Sequence, residues 1–145
     1  MFEVIPFKSW HVKEMIEEPM NASLKSMFES GYADLLENQT KAFTGMADGR
    51  VMICAGVYDL WRGRGYLWCV LSEHIKAHSI SVYRGARRWL KEQPYRRIEM
   101  DVPIDMEIAH KRAEFLGFRL ETLRAEKYLP DGSDASIYVF IRENV

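Results

Sequence analysis

Between Ala42 and Leu71 the chain is apolar along most of its length, with two turn-like breaks, Asp48-Gly49 and Arg62-Gly63-Arg64-Gly65. Asp-Gly tolerates the positive φ that a two-residue hairpin requires. The segment therefore predicts an antiparallel meander of three strands, Ala42–Ala47, Arg50–Leu60 and Tyr66–Leu71. These strands are apolar enough to be covered on both faces. That places them in the middle layer of a domain and predicts helices to cover them.

The flanks supply those helices. Phe2 to Phe7 reads as a short strand that Pro6 ends or confines to an edge. Ser9 can cap a helix through Ile16, Pro19 interrupts it, and Asn21 or Ser23 can cap a second piece that Gly31 ends. Tyr32 to Asn38 allows a further turn or two. From Ser79, apolar residues recur at helical spacing (Val82, Tyr83, Ala86, Trp89, Leu90) until Pro94. Arg97–Val102 reads as a strand, Met106–Leu116 as a helix with Gly117 as its C-cap, and Phe118–Tyr128 and Ala135–Arg142 as strands around the turn Pro130-Asp131-Gly132. The strand-helix-strand passage allows a parallel pair with a right-handed crossover. The fold expected is α/β: a mixed, mostly antiparallel twisted sheet of about six to seven strands with helices on both faces. The 145 residues suit a single domain with one core.

Composition narrows the function classes. Twenty basic and 21 acidic side chains leave a net charge of -1, so no overall field argues for nucleic acid or an anionic membrane. Trp61, Arg62, Arg64, Tyr66 and Trp68 form a local aromatic-basic group that base stacking could use. A charged turn between core strands accounts for them more simply. Cys54 and Cys69 lie in apolar runs and read as buried free thiols, in keeping with a reducing compartment. No stretch reaches the roughly 18 apolar residues of a membrane helix, and Glu3 and Lys8 break any signal-peptide core. A cytoplasmic protein, of a cell or of a virus replicating in one, is expected. No group of His, Cys, Asp and Glu has metal-ligand spacing, so no metal is expected.

The helix Ile108-Ala109-His110-Lys111-Arg112-Ala113-Glu114-Phe115-Leu116-Gly117-Phe118 carries a resemblance. With Ala109, the Gly-Phe ending and the order of elements over nearly the whole chain, it resembles the GNAT (Gcn5-related N-acetyltransferase) superfamily. Tyr128-Leu129-Pro130-Asp131-Gly132 followed by a strand looks like a small phage-encoded group of GNAT-like proteins.

That resemblance implies acetyl-CoA as cosubstrate, bound where the fourth and fifth strands splay apart. Its pantetheine would pair with backbone groups near Val70, Leu71 and Ser72. Its pyrophosphate would sit at the start of the following helix, a site suited to anions by free N–H groups and dipole. The family's loop is usually Arg/Gln-x-x-Gly-x-Gly/Ala. Here the stretch is Glu73-His74-Ile75-Lys76-Ala77-His78-Ser79-Ile80-Ser81, without glycine. Lys76, His74 and His78 offer positive charge, Ser79 and Ser81 offer hydroxyls, and Ile80 lies between them. The family often places a tyrosine acid where Ala113 stands and an Asn where Met106 stands. A replacement acid is open among Tyr83, Tyr128 and water. Glu73, just past the fourth strand, is the first candidate base, with Asp101 and Glu99 next. His110 reads as a surface side chain.

Two functions are expected. One is N-acetyl transfer from acetyl-CoA to an amine of a small molecule or protein, with the acceptor among Trp10 to Phe43 and the loop between the sixth and seventh strands. The other is a catalytically inactive GNAT-like phage virion or assembly component, or a host-protein-binding domain; Ala113, Met106 and the glycine-free loop motivate it. A homodimer is compatible with either. Nucleic-acid binding rests on the basic turn alone.

Overall fold

The computed structural model describes residues 2–143. Strand β1 (Phe2–Pro6) leads through a 3-10 turn (Ser9–Val12) into α1 (Lys13–Ile16). A second 3-10 turn (Pro19–Asn21) precedes α2 (Ala22–Met27), a π-type turn (Phe28–Tyr32) and α3 (Ala33–Gln39). Then come β2 (Lys41–Ala47), β3 (Arg50–Trp61) and β4 (Arg64–Leu71). A 3-10 segment (Glu73–His78) runs into α4 (Ser79–Glu92), followed by β5 (Arg97–Pro103), α5 (Glu107–Phe115), β6 (Arg119–Ala125) and β7 (Ala135–Ile141). The strand order is β1-β2-β3-β4-β5-β7-β6, a seven-stranded mixed sheet. β1–β2, β2–β3, β5–β7 and β6–β7 are antiparallel, and β4–β5 is parallel. The mixed, mostly antiparallel architecture read from the sequence is therefore present.

The chain divides into two compact units, one up to Tyr58 with Trp68–Leu90 and the other Asp59–Leu67 with Lys91 onward. In the first, the pleat sorts the core. Residues 52–57 of β3 are all buried, so both faces of this strand are covered. On one face Thr44, Cys54, Trp68 and Val70 meet the helical layer through His11, Val12, Met15 and Leu36. On the other, Phe43 packs on Trp89 of α4 with ring centroids 4.8 Å apart, and Phe2 lies over Gly45 and Gly85. Alternation along β2 thus sends Phe43 and Gly45 to α4 and Thr44 to the opposite helices. The β2–β3 turn is the expected one: Asp48 and Gly49 both take positive φ, 53° and 73°.

In the second unit, β4 and β5 pair in parallel from Arg64↔Arg97 to Tyr66↔Glu99. The helix α5 stops as its sequence predicts. Gly117 has φ 98°, its N–H donates to Glu114 O, and Phe118 N–H donates to Ala113 O. That is a Schellman termination, with Phe118 buried beyond it. β6 ends at Ala125 rather than at Tyr128. Lys127 turns to φ 53° and donates its N–H to Asp134 Oδ1 at 2.9 Å instead of to the ladder. No described helix is long and apolar enough to cross a membrane.

Candidate functional site

The first unit gathers the candidate residues after β4. Val70 is buried in the core, and Leu71 and Ser72 are buried beside it. Ser72 N–H donates to Met52 O on β3 at 2.9 Å. Backbone groups of successive strand residues point to opposite edges, so those of Leu71 point away from β3. Of the three expected pairing positions, Leu71 alone presents its peptide groups that way.

Ser72 ends the strand and caps the 3-10 segment after it. Its backbone is extended (φ -82°, ψ 147°), and its hydroxyl accepts from His74 N–H at 3.1 Å. The same hydroxyl donates to Glu18 Oε2 at 3.0 Å, and Glu73 N–H donates to Glu18 Oε1 at 3.1 Å. Ser79 is itself helical (φ -56°, ψ -43°), so the helical run opens at Ser72 and not at Ser79. Within a 3-10 segment each later amide bonds the carbonyl three residues back. Amides from Lys76 to His78 are therefore spent inside the segment.

The other candidates lie around this strand end. Glu73 has a half-exposed side chain, with Oε1 4.0 Å from His74 Nε2. Lys76 is exposed, and Ile80 is 72% exposed. His78 Nε2 lies 3.0 Å from Asp48 Oδ2, tying the start of α4 to the β2–β3 turn. Ser79 is half-buried at the first position of α4.

Two residues of this site are not foreseeable from the sequence. Glu18 has only 13% of its side chain exposed, and it brings Glu73 and His74 together: ligand atoms of the three lie within 4.8 Å of one another. Both Glu18 oxygens already accept hydrogen bonds, so its present work is to hold the end of β4. Asn21, expected as a helix cap, makes no side-chain cap bond to α2. It is buried and donates instead to Met15 O at 2.7 Å and Leu71 O at 3.0 Å. The side chain of the alternative cap, Ser23, lies outside the described residues. Pro19 between Glu18 and Asn21 is the one local sign that the helix breaks here and turns back.

The second unit holds the remaining candidates. Glu99 is buried between Arg64 and Arg97, and Arg97 continues to Glu121. The bonds from Arg64 hold the Glu99 carboxyl below the usual carboxylate range. It forms ion pairs with both guanidiniums. Asp101 is half-buried, and burial pushes its carboxyl up. Burial first, then the charges of Asp101 and Glu99, push the Tyr128 phenol up. Arg64 stacks on Trp61 at 4.3 Å while it also bonds Glu99. The basic turn is thus partly neutralised from below. His110 is not the surface side chain expected: its ring bonds Tyr138 OH at 2.8 Å and Ile104 O at 2.9 Å. Ala113 is fully buried, and Met106 precedes α5 with no capping side chain.

No family model matches the chain, and no curated protein matches it in sequence. Solved structures do match in fold. The ribosomal-protein-S5-alanine acetyltransferase from Vibrio fischeri is 17% identical, with a TM-score of 0.68 over 99% of this chain and 94% of the other. An acetyltransferase of the GNAT family from Streptococcus pneumoniae is 13% identical, with a TM-score of 0.66 over 98% of this chain and 100% of the other. The aminoglycoside acetyltransferase AAC(6')-Ib, in complex with coenzyme A and kanamycin, is 14% identical, with a TM-score of 0.72 over 99% and 96%. The fold is that of the GNAT acetyltransferases.

Proposed function

We propose that the chain is an N-acetyltransferase that moves an acetyl group from acetyl-CoA to an amine of a small molecule or protein. What carries the reading is the end of β4: Leu71 aims its peptide groups away from β3, and the chain passes at once into a helical start with Glu73 beside it. Acetyltransferases of the same fold over nearly their whole length support it.

In this reading the thioester lies along the edge of β4, held near Val70, Leu71 and Ser72. The phosphates lie toward Lys76, His78, Ser79 and Ile80, where the exposed lysine supplies positive charge. The amine nitrogen attacks the thioester carbonyl, a C–N bond forms, and the C–S bond breaks. Glu73 takes the proton lost by the amine, directly or through one water. The departing thiolate of coenzyme A takes a proton from Tyr83 or water. The test is a thermal-shift titration with acetyl-CoA, run beside Ser79→Glu. A rise in Tm for the wild type that Ser79→Glu abolishes is expected. No shift at millimolar acetyl-CoA would remove the reading.

The full burial of Ala113 favours a second reading, a non-catalytic GNAT-like domain that binds a protein. The stretch Tyr128-Leu129-Pro130-Asp131-Gly132 before β7 is the feature that suggests a phage-encoded component, of virion or assembly type or a binder of a host protein. A stable protein complex without any response to acetyl-CoA would select it.

A further inference from the structure

We infer that the segment Glu18–Asn21 is a latch across the C-terminal end of β4 that must lift for acetyl-CoA to lie along that edge. The inference rests on the acyl-CoA reading above. The groups an extended ligand would need at this edge are already taken. Leu71 O accepts from Asn21 Nδ2 at 3.0 Å. Ser72 Oγ and Glu73 N–H both donate to the Glu18 carboxylate, at 3.0 and 3.1 Å. One short segment therefore occupies one acceptor and two donors at a single strand end. Its two contact residues flank Pro19, which lacks an N–H and fixes its own φ, so the segment is stiff between them.

The latch is held by a few polar contacts. Besides Leu71 O, the Asn21 amide holds Met15 O at 2.7 Å, which ties the latch to the end of α1. Hydrogen bonds of this kind contribute modestly, so the loss of one raises the open fraction by about five-fold. The apparent dissociation constant is the intrinsic one divided by the open fraction. Releasing the latch therefore tightens binding, although it removes contacts from the fold. Glu18 adds a second barrier, because its charge repels a phosphate-bearing ligand. Asn21 is neutral, so a variant there separates the latch from that repulsion.

The experiment is calorimetric titration of acetyl-CoA into the wild type, Asn21→Ala and Glu18→Gln. Hydrogen exchange of the amides of residues 17–22 is measured in the wild type with and without acetyl-CoA. Asn21→Ala is expected to bind about five-fold more tightly, and acetyl-CoA to accelerate exchange in residues 17–22. Binding by the variants alone would also support the latch. Unchanged or weaker binding by folded Asn21→Ala overturns it. So does wild-type binding with exchange in residues 17–22 unchanged or slowed; that outcome leaves the acyl-CoA reading standing. If none of the three proteins binds acetyl-CoA, the acyl-CoA reading falls and the latch falls with it. Should Asn21→Ala fail to fold, the exchange measurement on the wild type decides.

Discussion

The ring of Phe2 lies over Gly85, and a β-carbon on that glycine would stand 2.9 Å from Cδ2 of the ring and closer still to Cε2. Gly45 closes the other side of the same ring, so the ring has little room to yield. In an open helix, glycine to alanine stabilises by about 1 kcal/mol. Here the overlap reverses the sign, and Gly85→Ala is expected to cost about 1–2 kcal/mol. In a Phe2→Ala background the same change becomes stabilising. Denaturant unfolding of the four proteins of this cycle measures it, and equal effects in both backgrounds would refute the contact.

His11 makes the first unit sensitive to acid. Lys8 N–H donates to Nδ1 at 3.0 Å, and the Thr44 hydroxyl lies 2.7 Å from the same atom. Nδ1 is therefore an acceptor, and protonation would break the bond from Lys8 and force the Thr44 hydroxyl to accept instead of donate. Burial is the main cause that lowers the imidazole below its ordinary value of 6.5. Below that value the unfolded chain binds more protons than the folded one, so stability rises with pH there. The stabilisation is present above the unfolded value and lost as the pH falls through the lowered one. Tm should drop on acidification from neutral pH, and His11→Gln should flatten that part of the profile.

Met106 sits at the N-cap of α5 without a side-chain acceptor. Its backbone (φ -92°, ψ 83°) is non-helical, as an N-cap requires. Met106→Asn should stabilise the protein by about 0.5–1 kcal/mol, read as a higher denaturation midpoint with an unchanged m-value.

Under the acyltransferase reading, Glu73→Gln removes the base while keeping the shape. A fall in kcat of about 100-fold or more is expected, with the KM for acetyl-CoA little altered. Release of the coenzyme A thiol gives the rate, and a variant that keeps wild-type kcat rules out Glu73 as the base.

The two cysteines should differ sharply toward thiol reagents. Cys54 has no exposed surface, and burial pushes its thiol up to about 12. It should react only when the protein unfolds, whereas the half-buried Cys69 reacts first. A thiol count against denaturant concentration separates them.

Local chemistry makes much of the fold legible. Asp48-Gly49 and Gly117 each demand a positive φ that few residues accept, and each marks a turn or stop where it stands. The uninterrupted burial of residues 52–57 matches an equally uninterrupted apolar run. The contacts that organise the candidate site are not legible, because they join distant residues. Glu18 and Glu73 are 55 positions apart, and Asn21 and Leu71 are 50 apart. Pro19 marks a break after Glu18, but nothing local says that Glu18 turns inward while Glu17 pairs with Lys25 at the surface. His110 escapes a reading of the sequence for the same reason. Its neighbours in sequence suggest a surface position, but its partner Tyr138 lies on β7.

The buried run of β3 has a cost while the chain is being made. Met52-Ile53-Cys54-Ala55-Gly56-Val57 carries no charge and no proline. Such segments, when exposed, are prone to stack into cross-β assemblies. On a ribosome, β2 can fold back on β3 only once β3 has followed the Asp48-Gly49 turn out. The partner edge, β4, and the α4 cover carrying Trp89 come later. Until then a sticky strand edge faces the cell, so chaperone dependence and poor yield of truncated chains should centre on this hairpin.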